Sequence, residues 1–130
     1  MKIETTILKN LLQNEDYARK VLPFLNDEYF TENSDKIIYN QINNFILKYN
    51  SLPNKEALNI ELSEAKITEE DFKESINLIN EIGKDDQEFS DLSWLLDSTE
   101  KFCQDKAIYN AVVESISILD NPKSTADKGA

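Results

Sequence analysis

A chain of 130 residues, 40% apolar and 30% charged, is long enough to build one packed domain and too apolar to stay disordered. Its 25 acids against 14 bases leave a net charge of −11, which repels phosphate and argues against direct nucleic-acid binding. With no histidine and one cysteine, His-based acid–base chemistry, His-containing metal sites, thiolate zinc sites and an internal disulfide are all excluded.

Two glycines and three prolines point to helices rather than to a turn-rich β fold. The opening MKIETTILKNLL has no apolar core of a signal peptide, and no run reaches 18 apolar residues, so neither a leader nor a membrane span is expected. Ile3, Ile7, Leu8, Leu11 and Leu12 recur at helical spacing and close near Gln13. Asn14 is placed to cap a second helix whose first turn carries Glu15 and Asp16 and whose buried face is Tyr17, Ala18, Val21 and Leu22. Pro23 and the LNDEYFTEN run break the pattern and predict a turn or a single helical turn.

Asn33 or Ser34 is expected to cap the next helix, in which Ile38, Ile42, Phe45, Ile46 and Tyr49 form one stripe. Asn50, Ser51 and Pro53 stop it, since proline disfavours helix in the residue before it. Asn54 caps a shorter helix through Ala57, Leu58 and Leu62. Thr68 starts another, with Phe72, Ile76, Ile79 and Ile82 inward and Gly83 as its stop. The run KDDQEFSD is a polar, solvated loop.

From Asp91 to Asp120 there is neither glycine nor proline, which predicts one helix of roughly 30 residues and about 45 Å. A compact chain of this size has a radius of gyration of about 14 Å, so such a helix overshoots the body. On a helical wheel Leu92, Leu95, Leu96, Thr99, Phe102 and Cys103 fall within about 120°, an ordinary core-facing stripe. Past Asp105 the same stripe is occupied by Lys106, Asn110, Glu114 and Ser117. The formerly polar side now carries Ile108, Tyr109, Ala111, Val112, Val113, Ile116 and Leu119. This change of face near Lys106 predicts a first half anchored in its own domain and a second half that packs on something else; a break near Asp105, with fold-back onto the bundle, is the competing reading.

The expected organisation is therefore all-α: a helical-bundle body over residues 1–90, a long helix over 91–121 anchored to about residue 105 and protruding beyond it, and the start of a truncated continuation at 122–130. The expected interface residues are Ile108, Tyr109, Val112, Val113, Ile116 and Leu119. No catalytic, cofactor-binding or metal-ligating residue is expected: there is no GxxxxGK[ST] or GxGxxG loop, Arg19 is the sole arginine, and Cys103 lies on the core-facing stripe without a base to activate it. Two readings of different class remain at this point. One is an assembly and interaction module; the other is a free-standing acidic phage protein that mimics DNA and inhibits a nucleic-acid enzyme. Continuation of the gene past codon 130 into a phosphate loop would separate them.

The order TTILKNLL, NEDYARKVLPFLNDEYF, KIIYNQINNFILKYN, SLPNKEAL and WLLDSTEKFCQDKAIYNAVVESISILDN resembles the N-terminal domain of DnaB-like replicative DNA helicases, in particular the T-even-phage branch. The resemblance extends over essentially the whole chain and rests on the combined order of segments, none of which is a catalytic signature. It implies an all-helical bundle carrying a helical hairpin, with hairpins of neighbouring subunits paired into a collar on a hexameric ring. Residues 106–121 would then be the outer part of the first hairpin helix, and a second hairpin helix would begin near Thr125. It further implies a parent ATP-dependent helicase whose ATP and Mg sites lie in another domain, so that this part has no catalysis or cofactor of its own. The implied partners are further copies of the chain (as a dimer or hexameric collar), primase and the helicase loader, with little or no direct DNA binding and no membrane, in the cytoplasm of an infected bacterium.

Overall fold

The computed structural model describes residues 2–84 and 91–120. Among them lie six α-helices and no strand: α1 (Ile3–Gln13), α2 (Glu15–Val21), α3 (Asn33–Tyr49), α4 (Lys55–Ser63), α5 (Glu69–Ile82) and α6 (Leu92–Asp120), with one 3-10 turn at Asp27–Tyr29 between α2 and α3. The all-α helical bundle with a long C-terminal helix is therefore the observed architecture. The polar loop expected around residues 85–90 and the second hairpin arm expected after Asn121 lie outside the described residues.

Short polar side chains set several boundaries. Asn14 accepts the Tyr17 amide, Asn54 the Ala57 amide and Thr68 the Asp71 amide, each satisfying a first-turn donor at a gain of roughly 1 kcal/mol. Asn50 ends α3 in the left-handed conformation (φ 54°), the backbone region that asparagine tolerates better than most residues. Arg19 fastens this end: its guanidinium donates to the Asn50 carbonyl (3.2 Å) and side-chain oxygen (3.3 Å) while pairing with Glu15 at 2.8 Å. The sole arginine is thus committed to joining α2 to α3. Gly83 caps α5 with ordinary right-handed φ, and its role is close approach: a Cβ there would sit 2.8 Å from the Ile79 carbonyl oxygen and 3.1 Å from Lys55 Cδ.

The core is one contiguous cluster. α3 packs on α5, α1 and α4, while α6 packs on α2, the 3-10 turn and α1. Ile7, Leu8 and Leu11 of α1, Ile38 and Ile42 of α3, and Leu58 and Leu62 of α4 are buried as the periodicity predicts. Phe30 fills the centre between the Tyr39 ring (5.4 Å) and the Phe102 ring (5.7 Å), and the Tyr39 hydroxyl donates to the Leu25 carbonyl at 3.0 Å.

Three expectations are corrected. α3 begins at Asn33, so Ser34 is a buried helical residue rather than a cap, and the flanking Glu32 makes no side-chain cap. The α3 stripe leaves the core at its end: Phe45 is half-buried and Tyr49 exposed, the two rings tilted at 50° with centroids 4.7 Å apart and the Lys48 ammonium 5.2 Å from the Tyr49 ring. In α5 the buried face is Ser75, Leu78, Ile79 and Ile82, with Phe72 and Ile76 only half-buried, because this helix lies against α1, α3 and α4 at once and its inward arc is turned towards Leu78.

Candidate protein–protein interface

α6 runs uninterrupted from Leu92 to Asp120, 29 residues and about 43 Å long. It passes through Asp105 without a break, so the fold-back at that point does not occur. Its first half is pinned to the body. Leu95 and Thr99 are fully buried, and Phe102 and Cys103 nearly so. Thr99 Oγ1 donates to the Leu95 carbonyl at 2.7 Å; its single proton being used there, the Tyr17 hydroxyl, 2.6 Å away, is the donor of their shared bond. Burial pushes the Tyr17 phenol up to about 12 and the Cys103 thiol up to about 11, so both are neutral anchors at ordinary pH.

At Lys106 the surroundings change. Its ammonium lies 6.0 Å from the Phe102 ring and 5.8 Å from the Tyr109 ring, bridging the last buried aromatic of the root and the first exposed aromatic beyond it. Asn110, on the continuation of the core stripe, donates to the Glu28 carbonyl at 3.1 Å and ties the helix to the 3-10 turn. From Ala111 to Leu119 every residue is exposed. The structure leaves all six expected interface residues open: Ile108 64%, Tyr109 63%, Val112 51%, Val113 46%, Ile116 53% and Leu119 79% exposed.

Tyr109, Val112, Ile116 and Leu119 follow one another at intervals of three, four and three residues, the spacing of a coiled-coil seam, with Ile108 and Val113 on its two flanks. Between Ala107 and Leu119 the only charged residue is Glu114. Apolar seam residues with charge nearly absent are the chemistry of an interface centre rather than of a solvated surface. Averaged over all of α6 the two apolar faces cancel, which is why the helix as a whole looks barely amphipathic.

A second feature was missed by sequence reasoning. On the opposite side of the α6 root, Phe24, Tyr29, Leu96, Cys103 and Ala107, flanked by Lys20 and Glu100, line a groove of about 580 Å³. Phe24, 44% exposed, belongs to no helical stripe, and only its place in the PFL segment singled it out. For other chemistry, no group of three or more His, Cys, Asp or Glu among the described residues is close enough to hold a metal ion. No helix among them is long and apolar enough to cross a membrane.

Among the described residues the chain is an all-helical bundle whose longest helix carries, on its outer half, an exposed apolar seam at coiled-coil spacing. No family model matches the chain. It is, however, 31% identical over 122 residues to the DnaB-like replicative helicase of Enterobacteria phage T4, across 94% of its own length. The resemblance read from the order of segments is thereby borne out, and the chain is related to a phage DnaB-like replicative helicase. It spans about a quarter of that relative's length (25%).

Proposed function

We propose that this chain is the N-terminal assembly and partner-docking part of a phage hexameric replicative DNA helicase, joining subunits into a collar and receiving primase and the helicase loader. The observation that carries the reading is the outer half of α6, where Ile108, Tyr109, Val112, Val113, Ile116 and Leu119 stand in solvent on a helix whose root is locked in the core. Fully burying side chains of this size is worth roughly 1.5–3 kcal/mol each, so a matching helix from a second copy has a strong reason to cover them. The similarity to a replicative helicase supports that setting. In this reading ATP, Mg and strand separation belong to other parts of the parent protein, and this part contributes contacts, in the cytoplasm of the infected host. The commitment of Arg19 to Glu15 and Asn50, together with the net charge of −11, supports a role without direct DNA contact.

Sedimentation equilibrium across a wide concentration range tests the subunit contact. The parent chain is expected to associate, and Val112→Asp and Ile116→Asp to sediment as monomers. Both positions are solvent-exposed, so each variant keeps its fold, verifiable from an unchanged helical circular dichroism signal. A parent as monomeric as both variants at the highest concentration would remove the proposal's main support.

A further inference from the structure

The start of α1, the start of α3 and one flank of α5 enclose a recess of about 410 Å³ that includes no residue of α6. Four carboxylates line it, from Glu32, Asp35, Glu74 and Glu81, against the single ammonium of Lys2. Acids on a helical surface are normally solvated, and a cluster of them alone says nothing. Asp35 is different. It is 5% exposed, lines the recess, and its side chain makes no hydrogen bond or ion pair with any described residue. Lys2 is near enough to favour its charge, yet the Lys2 ammonium bonds Glu32, 2.6 Å away, and no donor among the described residues bonds Asp35.

That arrangement is costly. Burial, reinforced by Glu32, Glu4 and Glu81, pushes the Asp35 carboxyl up to about 6, with Lys2 opposing. The folded state therefore holds a proton that an unfolded aspartate has released above its ordinary value of 3.8. Stability falls as pH rises from about 4 to about 6 and stays lower above it. A first-turn acid gains something from the α3 helix dipole, but only a few tenths of a kcal/mol to about 1 kcal/mol, less than burying an unpaired charge costs. An enclosed carboxyl that faces a recess and has no partner among the described residues is open to a group arriving from outside.

We propose that this recess binds an organic cation, an ammonium or guanidinium group, with Asp35 as the inner acceptor and Glu32, Glu74 and Glu81 as the rim. An anion is excluded by the carboxylates. A metal ion is disfavoured because the acids do not converge on one point. An ammonium or guanidinium directs three to five N–H donors outward and suits acceptors spread around a cavity. Asn77 and Ser34 add polar wall, and Leu78 offers an apolar surface for an alkyl stem. Such a group comes either from a lysine or arginine of a partner protein or from a free polyamine. The site is independent of the α6 seam and stands or falls separately from the subunit contact.

The test uses the whole chain and carbon-13 NMR of the Asp35 side-chain carboxyl, assigned by its loss in Asp35→Asn. The probes are an acetylated Ala-Lys-Ala amide, its arginine counterpart and spermidine, with an all-alanine tripeptide and sodium chloride at matched ionic strength as controls. At saturation a cationic probe is expected to lower the Asp35 midpoint by about one pH unit or more. Binding at pH 7 should be about five- to tenfold tighter than at pH 5, because below the midpoint the cation must displace a proton. Asp35→Asn should lose that pH dependence and most of the affinity while melting at a higher temperature than the parent at pH 7. Glu81→Gln should fall between. Response to the peptides identifies a protein side chain as the ligand, and response to spermidine alone identifies a free polyamine. An Asp35 midpoint that no probe moves, one that sodium chloride moves equally, or an Asp35→Asn variant that binds as tightly as the parent would each overturn the proposal.

Discussion

The two halves of α6 share one backbone and one hydrogen-bond ladder, yet their side chains meet opposite surroundings. At the root, Leu95, Thr99, Phe102 and Cys103 are covered by α2, the 3-10 turn and α1. Beyond Asn110 nothing described covers the helix, although its residues are, if anything, more apolar. Helix formation and burial are therefore decided by different things. Nucleation is the expensive step, and the packed root has already met it, so the outer turns propagate from a fixed end. The outer half is nevertheless rich in Ile and Val, whose branched side chains are indifferent helix formers. Residues chosen for helix stability alone would be alanine, glutamate or lysine. Their replacement by Ile108, Val112, Val113 and Ile116 is what the proposed contact between copies would require.

Substitution breaks the comparison most sharply. Leu95→Ala at the fully buried root is expected to cost about 2–5 kcal/mol in the unfolding free energy of the monomer, through lost transfer energy and the cavity left behind. Ile116→Ala in the outer half should change monomer stability by less than about 0.5 kcal/mol, measured by urea unfolding at low protein concentration. Equal effects at the two sites would mean that the outer half is packed on its own domain.

Thiol chemistry sharpens the same contrast. Cys103 is 7% exposed and its thiol is raised to about 11, so little thiolate exists at neutral pH and access is poor. A cysteine introduced by Ile116→Cys, in a Cys103→Ser background, sits where the native side chain is half in solvent. At low protein concentration it should react with a disulfide reagent at least about 100-fold faster than Cys103 does in the parent, the ratio set by thiolate fraction before access is counted. Comparable rates would show that the root opens freely.

Much of this contrast could be read from the residues. The stripe from Leu92 to Cys103 and its replacement by Lys106, Asn110, Glu114 and Ser117 are matters of helical spacing, which the chain states locally. So are the caps at Asn14, Asn54 and Thr68. What could not be read depends on neighbours distant in sequence. Asp35 looks like any solvated first-turn acid until the start of α1 and the flank of α5 close over it. Tyr49 continues a stripe that the body does not extend far enough to cover. Phe24 becomes part of a groove only when α6 passes beside it. The left-handed Asn50 and its Arg19 clamp likewise join residues 31 positions apart, a distance at which periodicity carries no information.

Hydrogen exchange along α6 at two protein concentrations tests most directly whether its outer half is a contact between copies. Root amides around Leu95 to Cys103 should exchange at the same rate at both concentrations, since their protection comes from the body. Amides between Val112 and Leu119 should exchange quickly in dilute protein and become markedly slower as concentration rises, in proportion to the associated fraction. Outer-half exchange that is independent of concentration, up to the highest attainable, would contradict the account.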